Sequence, residues 1–346
     1  MPDRTPEGTA GFLSRRGFIK VVAASAAALA LPACSEEWKS LGFQPKASMH
    51  TPFVTPSDDF YLVAVDPSFR PALSMQNVTS QWSLELVGLD GKSQHIGYDE
   101  LSGVAGRSVF YTFECIGNSV GGQLIGNAEW QVIPLRDILK RAGGLNSVRS
   151  VMFEGLDDFY SSVSLERATD DYAFIAVQMN GLPLPAAHGF PARTILPDLY
   201  GMKQPRWLKR IVLQEDAATT SYWEKRGWSG EVPIKTMSRL DLHPDVQARQ
   251  NTEFTGIAFA GARGIAKVEI SLDGGKSWVA CELVTGDKAN VWSLWRYIWP
   301  MPTPGRYDIQ LRATDGKGGL QTAQRQRSYP DGASGYDQMA VTIMSA

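Results

Sequence analysis

The feature that most constrains the fold is a series of short segments in which apolar and polar residues alternate, each closed by a glycine-bearing turn. Trp82-Ser83-Leu84-Glu85-Leu86-Val87-Gly88 alternates with period two and ends at Leu89-Asp90-Gly91-Lys92, where Asp90-Gly91 is a hairpin signal. Residues 306–314 alternate likewise and end at Asp315-Gly316. Period two sends successive side chains to opposite faces, so these segments read as strands with one buried face. A count of 33 Gly, 20 Pro and 10 Trp fits a turn-rich, strand-rich protein better than a helical bundle. The 346 residues suffice for two or three domains. A 43% hydrophobic fraction supplies real cores, and 20% charged residues is too few for a disordered chain. Lys and Arg number 34 against 36 Asp and Glu, a net charge of -2 that gives no global electrostatic case for nucleic acid or an anionic membrane surface.

The texture changes along the chain, with no internal repeat. From about Thr51 to Glu215, strand-like runs such as Ser108-Val109-Phe110-Tyr111-Thr112-Phe113 mix with short helical ones. Residues 135–142 have helical spacing and stop at Gly143-Gly144. This predicts an α+β domain over 51–232. Beyond about Pro233 the pattern is all-β: residues 254–261, 265–272 and 306–314 alternate, with a turn at Asp273-Gly274-Gly275-Lys276 and a strand at 277–280. Residues 233–346 are therefore expected to form an immunoglobulin-like β-sandwich.

The first 33 residues read as an address. Ser14-Arg15-Arg16-Gly17-Phe18-Ile19-Lys20 precedes an apolar stretch from Val21 to Ala33, too short for a mature membrane span of about 20 residues. The paired arginines resemble a twin-arginine signal, which implies periplasmic or cell-envelope export of a protein already folded. The stretch ends Leu31-Pro32-Ala33-Cys34-Ser35. Two readings stand: a lipobox that makes Cys34 a lipid anchor, or ordinary cleavage after Ala30 that leaves Cys34 in a tail. Residues 34–50 would then be a linker.

Only three cysteines occur, Cys34, Cys115 and Cys281. They exclude a disulfide framework, a four-cysteine zinc site and a four-thiolate iron–sulfur cluster. Cys281 follows a sandwich strand and reads as a small buried hydrophobe. Cys115 sits at a strand-to-loop junction in Phe113-Glu114-Cys115-Ile116-Gly117-Asn118, where a thiol can face a cleft and act as a soft metal ligand.

That segment, with Gly126-Asn127-Ala128-Glu129-Trp130, resembles the molybdenum-ligand region of the sulfite oxidase family. So do His188-Gly189-Phe190-Pro191-Ala192-Arg193, Tyr200-Gly201, Arg206-Trp207-Leu208-Lys209-Arg210-Ile211, and, in the second domain, Ser271-Leu272-Asp273-Gly274-Gly275-Lys276-Ser277-Trp278 and Trp292-Ser293-Leu294-Trp295. The resemblance covers about residues 51–346 in order. It implies a mixed α+β domain holding molybdenum on a pterin dithiolene (the molybdenum–molybdopterin cofactor, Moco), followed by an immunoglobulin-like domain often used for homodimerisation. Carried over by motif, Cys115 is the thiolate ligand to molybdenum. Asp157, His188, Arg193 and Tyr61 are expected at the pterin, and Gln204 and Arg206 at its phosphate end. Each also has an ordinary reading: Asp157 holding a turn, His188 a satisfied loop histidine, Tyr61 a core aromatic, the arginines surface charges.

The chain also departs from the family. Where the resemblance leads one to expect sulfite-binding arginines, the sequence has Val63-Ala64-Val65, Ser119-Val120 and, near the last strand, Ala340; the expected active-site tyrosine is Trp228. Desolvating a dianion without paired cations is costly, and each lost charged hydrogen bond removes about 1.5–3 kcal/mol. With Trp130 and Trp228 as an aromatic wall, the pocket is expected to transfer an oxygen atom to or from a small neutral or organic S- or N-containing substrate. Two alternatives are sulfite oxidation and, in another class, an exported binding protein without cofactor. The chain has no Cys-x-x-Cys-His and only four His, so electrons are expected to pass through an external cytochrome or quinol-linked protein.

Overall fold

The structure, a computed structural model, describes residues 51–344 except 67, 242–247 and 285–287. The expected export signal, Cys34 and the linker lie outside the described residues. Strands are numbered in chain order. In the first domain one sheet runs β2 (Ser93–Gly97), β1 (Ser83–Val87), β10 (Leu208–Gln214), β5 (Ser150–Gly155), β6 (Tyr160–Ser164). Only its β1–β10 pair is parallel, so the sheet is mixed. A second sheet runs β3 (Arg107–Glu114), β4 (Ile125–Pro134), β7 (Phe174–Met179), β8 (Leu182–Pro183), with β9 (Arg193–Ile195) also pairing β7.

The alternation legible at 82–88 becomes β1, whose Leu84 and Leu86 are fully buried while Ser83 and Glu85 face outward. The hairpin signal is met by Gly91 at φ 73, a left-handed turn residue closing β1 onto antiparallel β2. The helical spacing at 135 yields α3 (Leu135–Leu139), preceded by α1 (Val78–Gln81) and α2 (Tyr98–Gly103). A 3₁₀ turn over Lys140–Ala142 and Gly143 at φ 116 end it. Among the described residues no helix is long and apolar enough to cross a membrane.

The second domain is the expected two-sheet sandwich. One sheet is β11 (Met237–Leu240), β12 (Thr252–Phe259), β16 (Ser293–Trp299), β15 (Glu282–Leu283); the other is β14 (Val279–Ala280), β13 (Ile265–Ser271), β17 (Gly305–Asp315), β18 (Asp337–Ile343). The strand expected over 277–280 shortens to two residues. Asp273 accepts hydrogen bonds from the backbone N–H groups of Lys276 and Ser277 and from both flanking serine hydroxyls, which extends the turn into what the alternation marked as strand. Cys281 is half-buried at the edge of the sandwich core rather than within it. Burial pushes its thiol up to about 12, so it is inert at neutral pH.

The second half of β12 and the first residues of β16 are buried on both faces. Phe254, Ala258 and Trp295 enter the sandwich core. Ile257, Phe259, Trp292 and Leu294 turn the other way and pack with Ile116, Ile125, Tyr200 and Met202 of the first domain. Each fully buried side chain of this size contributes about 1.5–3 kcal/mol. The shared core holds the loop carrying Cys115 and the Tyr200–Met202 stretch in fixed relation, and these flank the cavity described next.

Candidate active site

β3 ends at Glu114, and the chain turns under its own sulfur. The Cys115 N–H donates to the Leu124 carbonyl (2.9 Å), and the Gly117 N–H points at Cys115 Sγ (3.4 Å). Burial raises the thiol above its ordinary value, opposed by the Gly117 N–H. Cys115 lines a cavity of about 210 Å³, many times what a single water needs and large enough to admit a ligand. The segment before β1 roofs it. Asn127 on β4 exchanges hydrogen bonds with Phe53 and Thr55, and Asn180 holds Thr55 and Ser57, which delivers Phe60 and Tyr61 to the cavity. The Tyr61 hydroxyl lies 2.9 Å from where a Cβ on residue 201 would stand, so only Gly201 admits it. Burial raises the Tyr61 pKa well above 10, keeping the phenol neutral.

On the side formed by β9 and the loop before β10, two guanidinium groups converge. Arg193 Nη1 donates to the His188 carbonyl (3.2 Å), and its guanidinium lies 4.1 Å over the Phe113 ring. Arg206 donates to the Ala187 carbonyl (3.0 Å) and to the Val63 carbonyl (2.8 Å). Neither has a carboxylate within salt-bridge distance among the described residues. Arg193 Nε is buried without a partner. Burial and the neighbouring Arg206 charge pull Arg193 down to about 9. Two buried like charges with an unsatisfied N–H are unfavourable alone and require an anion. His188 Nε2 donates to the Ser57 carbonyl (2.9 Å), which leaves Nδ1 as an acceptor. Burial, then Arg193, lowers its pKa to about 4, so the ring is neutral at pH 7.

Among the described residues no three His, Cys, Asp or Glu side chains group to hold a metal. Cys115 is thus the protein's soft donor at the cavity, and further donors must arrive with the metal. A thiol, a paired-cation cradle and a neutral histidine acceptor together fit a metal carried on sulfur donors of an organic, phosphate-bearing cofactor.

Of the residues expected at the site, Tyr61, Cys115, Asp157, His188, Arg193, Gln204, Arg206 and Trp228 all line this one cavity. Gln204 does so with its amide engaged on all sides: Oε1 accepts from Leu196 N–H, Nε2 donates to Leu199 O, and the side chain also hydrogen-bonds the Tyr111 hydroxyl, so it shapes the wall rather than offering a free donor. Trp130 does not line it, which corrects the expected aromatic wall. The β4 pleat turns Trp130 inward, fully buried, with Nε1 donating to Tyr111 O and its ring 5.3 Å from the Arg193 guanidinium. It supports Arg193 from behind; the second tryptophan of the wall is Trp223. The three positions read as missing arginines also separate. Val63, Ala64 and Val65 line the cavity, whereas Ser119 and Val120 do not, and Ala340 sits exposed on β18 opposite Asp308. The second domain instead touches the lining indirectly, through Tyr329 packed on Trp228. Sequence reasoning also missed Lys203, whose buried ammonium binds Glu224 (2.7 Å) and Ser221 (2.9 Å) and ties the cavity floor to the segment carrying Trp223 and Trp228.

Comparison with known proteins agrees with this arrangement. A family model described as an oxidoreductase molybdopterin binding domain matches residues 72–223, and one described as a Mo-co oxidoreductase dimerisation domain matches 234–329. The chain is 29% identical over 309 residues to mitochondrial sulfite oxidase of Homo sapiens, covering 75% of this chain and 55% of that protein. It is 25% identical over 299 residues to the NADH nitrate reductase of Spinacia oleracea, covering 68% of this chain and 32% of the other. The chain thus spans about half or less of these relatives' lengths. Among solved structures, the sulfane dehydrogenase SoxCD of Paracoccus pantotrophus shares the fold, with TM-score 0.73 and 21% identity, over 84% of this chain and 82% of that one.

Proposed function

The chain belongs to the sulfite oxidase family of molybdopterin-dependent oxidoreductases, and we propose that it moves an oxygen atom to or from a small neutral organic sulfur or nitrogen compound, such as a sulfoxide or N-oxide. The observation that carries this is the lining around Cys115. Apart from Asp157, Arg193 and Arg206, every lining side chain is uncharged at neutral pH, and Val63, Ala64 and Val65 stand where cations would be needed to desolvate a dianion. Both guanidiniums are anchored by main-chain carbonyls and are assigned here to the cofactor's anion.

When bound, the cofactor supplies two-electron oxygen-atom exchange, as cofactors do for chemistry side chains cannot perform. Cys115 would hold it through sulfur, and Arg193 and Arg206 through its phosphate, with His188 Nδ1 and Asp157 available to its N–H groups. The remaining residues shape the reacting end. Trp223, Trp228, Ile116 and Met202 exclude water and receive an apolar substituent. For reduction of a sulfoxide the balance is R₂SO + 2e⁻ + 2H⁺ → R₂S + H₂O, and the electrons come from a one-electron carrier protein, a cytochrome or a quinol-linked partner. This assignment of a partner, like export by a twin-arginine route with Cys34 as the candidate lipid anchor, rests on the sequence features of the first 34 residues and on the lack of a haem-attachment motif. The dimerisation-type second domain supports a homodimer.

Sulfite is the second reading, favoured by the two carboxylate-free guanidiniums in the same cavity. Purified, molybdenum-loaded enzyme separates the two. The expected result is kcat/KM for sulfoxides at least tenfold above that for sulfite, with Val63→Arg narrowing the gap. Efficient sulfite oxidation by the unaltered chain would sink the neutral-substrate reading. Cys115→Ser should lose molybdenum while retaining its fold; equal occupancy would remove Cys115 as ligand.

A further inference from the structure

We infer that Tyr329, contributed by the second domain, is a specificity-determining residue of this site, which selects substrates bearing a planar, apolar group on the reacting sulfur or nitrogen. The inference rests on the neutral-substrate reading above and adds which neutral substrates are preferred.

Tyr329 stands at the tip of a loop closed by Gln326 and Ser334, whose backbones exchange hydrogen bonds at 3.0 and 3.3 Å. The tip is seated by a built set of contacts on residues 227–235, where the first domain passes into the second. Ser229 N–H donates to the Pro330 carbonyl (3.2 Å), Ser229 Oγ to Asp331 (2.9 Å), and Lys235 Nζ to the Gly332 carbonyl (2.7 Å). The seat for the ring itself is Gly227. It has φ 90, and a Cβ there would lie 2.2 Å from the Tyr329 hydroxyl, so no other residue leaves room for it. In that seat the Tyr329 ring packs edge-to-face on Trp228, centroids 5.2 Å apart at 77°. Trp228 lines the cavity.

Trp228 thus turns to the cavity, while Tyr329, which is not among the lining residues, fixes that ring from outside and is itself 57% exposed. Val63 and Val65, also of the lining, are 43% and 40% exposed. A methyl-sized substrate makes no aromatic contact with the wall. A substrate with an aryl group meets the Trp228 ring that Tyr329 holds in place and gains an aromatic contact, an effect of about five- to tenfold in affinity.

The test uses the cofactor-loaded full chain with dimethyl sulfoxide and methyl phenyl sulfoxide, reduced viologen as electron donor, and binding of each sulfoxide read by tryptophan fluorescence. Unaltered enzyme should prefer the aryl compound. Tyr329→Ala should lower the aryl-to-dimethyl ratio of kcat/KM five- to tenfold, and the ratio of binding constants with it. Tyr329→Phe, which keeps the ring, should restore both. An unchanged ratio in Tyr329→Ala, or an equal loss on both compounds, overturns the inference while the neutral-substrate reading stands. If the unaltered enzyme neither binds nor reduces either sulfoxide, both fall together.

Discussion

The buried Lys203–Glu224 pair gives the sharpest test of how the cavity wall is held. The Lys203 side chain is 2% exposed and Glu224 17%, with Nζ–Oε1 at 2.7 Å. Glu224→Ala would leave a buried ammonium whose one remaining acceptor is Ser221 Oγ, at 2.9 Å. Stranding a buried charge costs about 3–5 kcal/mol. Lys203→Met is milder. Glu224 keeps the Ser221 N–H (2.7 Å) and enough exposure to meet water, so the loss is about 1.5–3 kcal/mol, that of a charged hydrogen bond. The double variant carries no unpaired charge and should be more stable than Glu224→Ala alone by about 2 kcal/mol. Chemical denaturation of cofactor-free protein at pH 7, followed by tryptophan fluorescence, measures all three. Two results would refute the reasoning: Glu224→Ala no worse than Lys203→Met, or additive losses in the double variant, since either means that the ammonium finds other solvation. Because Glu224 lies between Trp223 and Trp228, substrate KM should rise in Glu224→Ala while molybdenum content holds.

Two other predictions concern the opposite side of the cavity. Arg193→Met should leave the melting temperature of cofactor-free protein unchanged or raised, by relieving repulsion from Arg206, while pterin and molybdenum content fall about tenfold; unchanged content would mean that the paired guanidiniums do not hold the anion. His188 has a folded pKa near 4 against 6.5 for the free side chain, so between these values the unfolded chain binds more protons and stability rises with pH. The contribution, at most about 3 kcal/mol, is complete above pH 6.5 and lost as pH falls towards 4; His188→Gln should flatten that slope in cofactor-free protein.

How far the sequence carried can be judged from individual residues. Strands β1 and β17 were legible because one face of each is buried and the other wet, which writes the period-two pattern directly into the chain. Eight expected site residues converge on one cavity because their motifs lie at strand ends and loop starts, where backbone geometry is local. Trp130 misled for a related reason. Its motif neighbours are at the site, but the pleat of β4 sends its ring to the core side, and no short-range signal separates a wall tryptophan from one that backs an arginine. Ala340, the expected arginine position near the last strand, is exposed on β18, and the second domain meets the lining at Trp228 through Tyr329 instead. That contact depends on how two domains pack, a long-range fact without sequence periodicity. Lys203 was unreadable for the same reason, since nothing near it in the chain announces a buried ammonium. Strand β12 did carry a hint at its end, where Ile257, Ala258 and Phe259 are apolar in succession: a sandwich strand apolar on both faces has a second partner, here the first domain.

The hydrogen bonds around the cavity explain how its chemistry can be retuned without loss of the fold. Arg206 grips the main-chain carbonyl of Val63, not its side chain. Residue 63 can therefore exchange a cation for an isopropyl group while the contact that orders Arg206 persists. The lip contributed by the second domain follows the same rule, since Ser229 holds the carbonyl of Pro330 and Lys235 that of Gly332. Val63 in the lining and the loop bearing Tyr329 are thus held by main-chain contacts that do not depend on the side chains they carry. Arg193 and the Cys115 loop are fixed differently, by an aromatic ring and by the core shared between domains. Selectivity is consequently separable from cofactor retention. A substitution at 63 or 329 should alter the choice of substrate with molybdenum still bound, whereas one at 115 or 193 should remove the cofactor first.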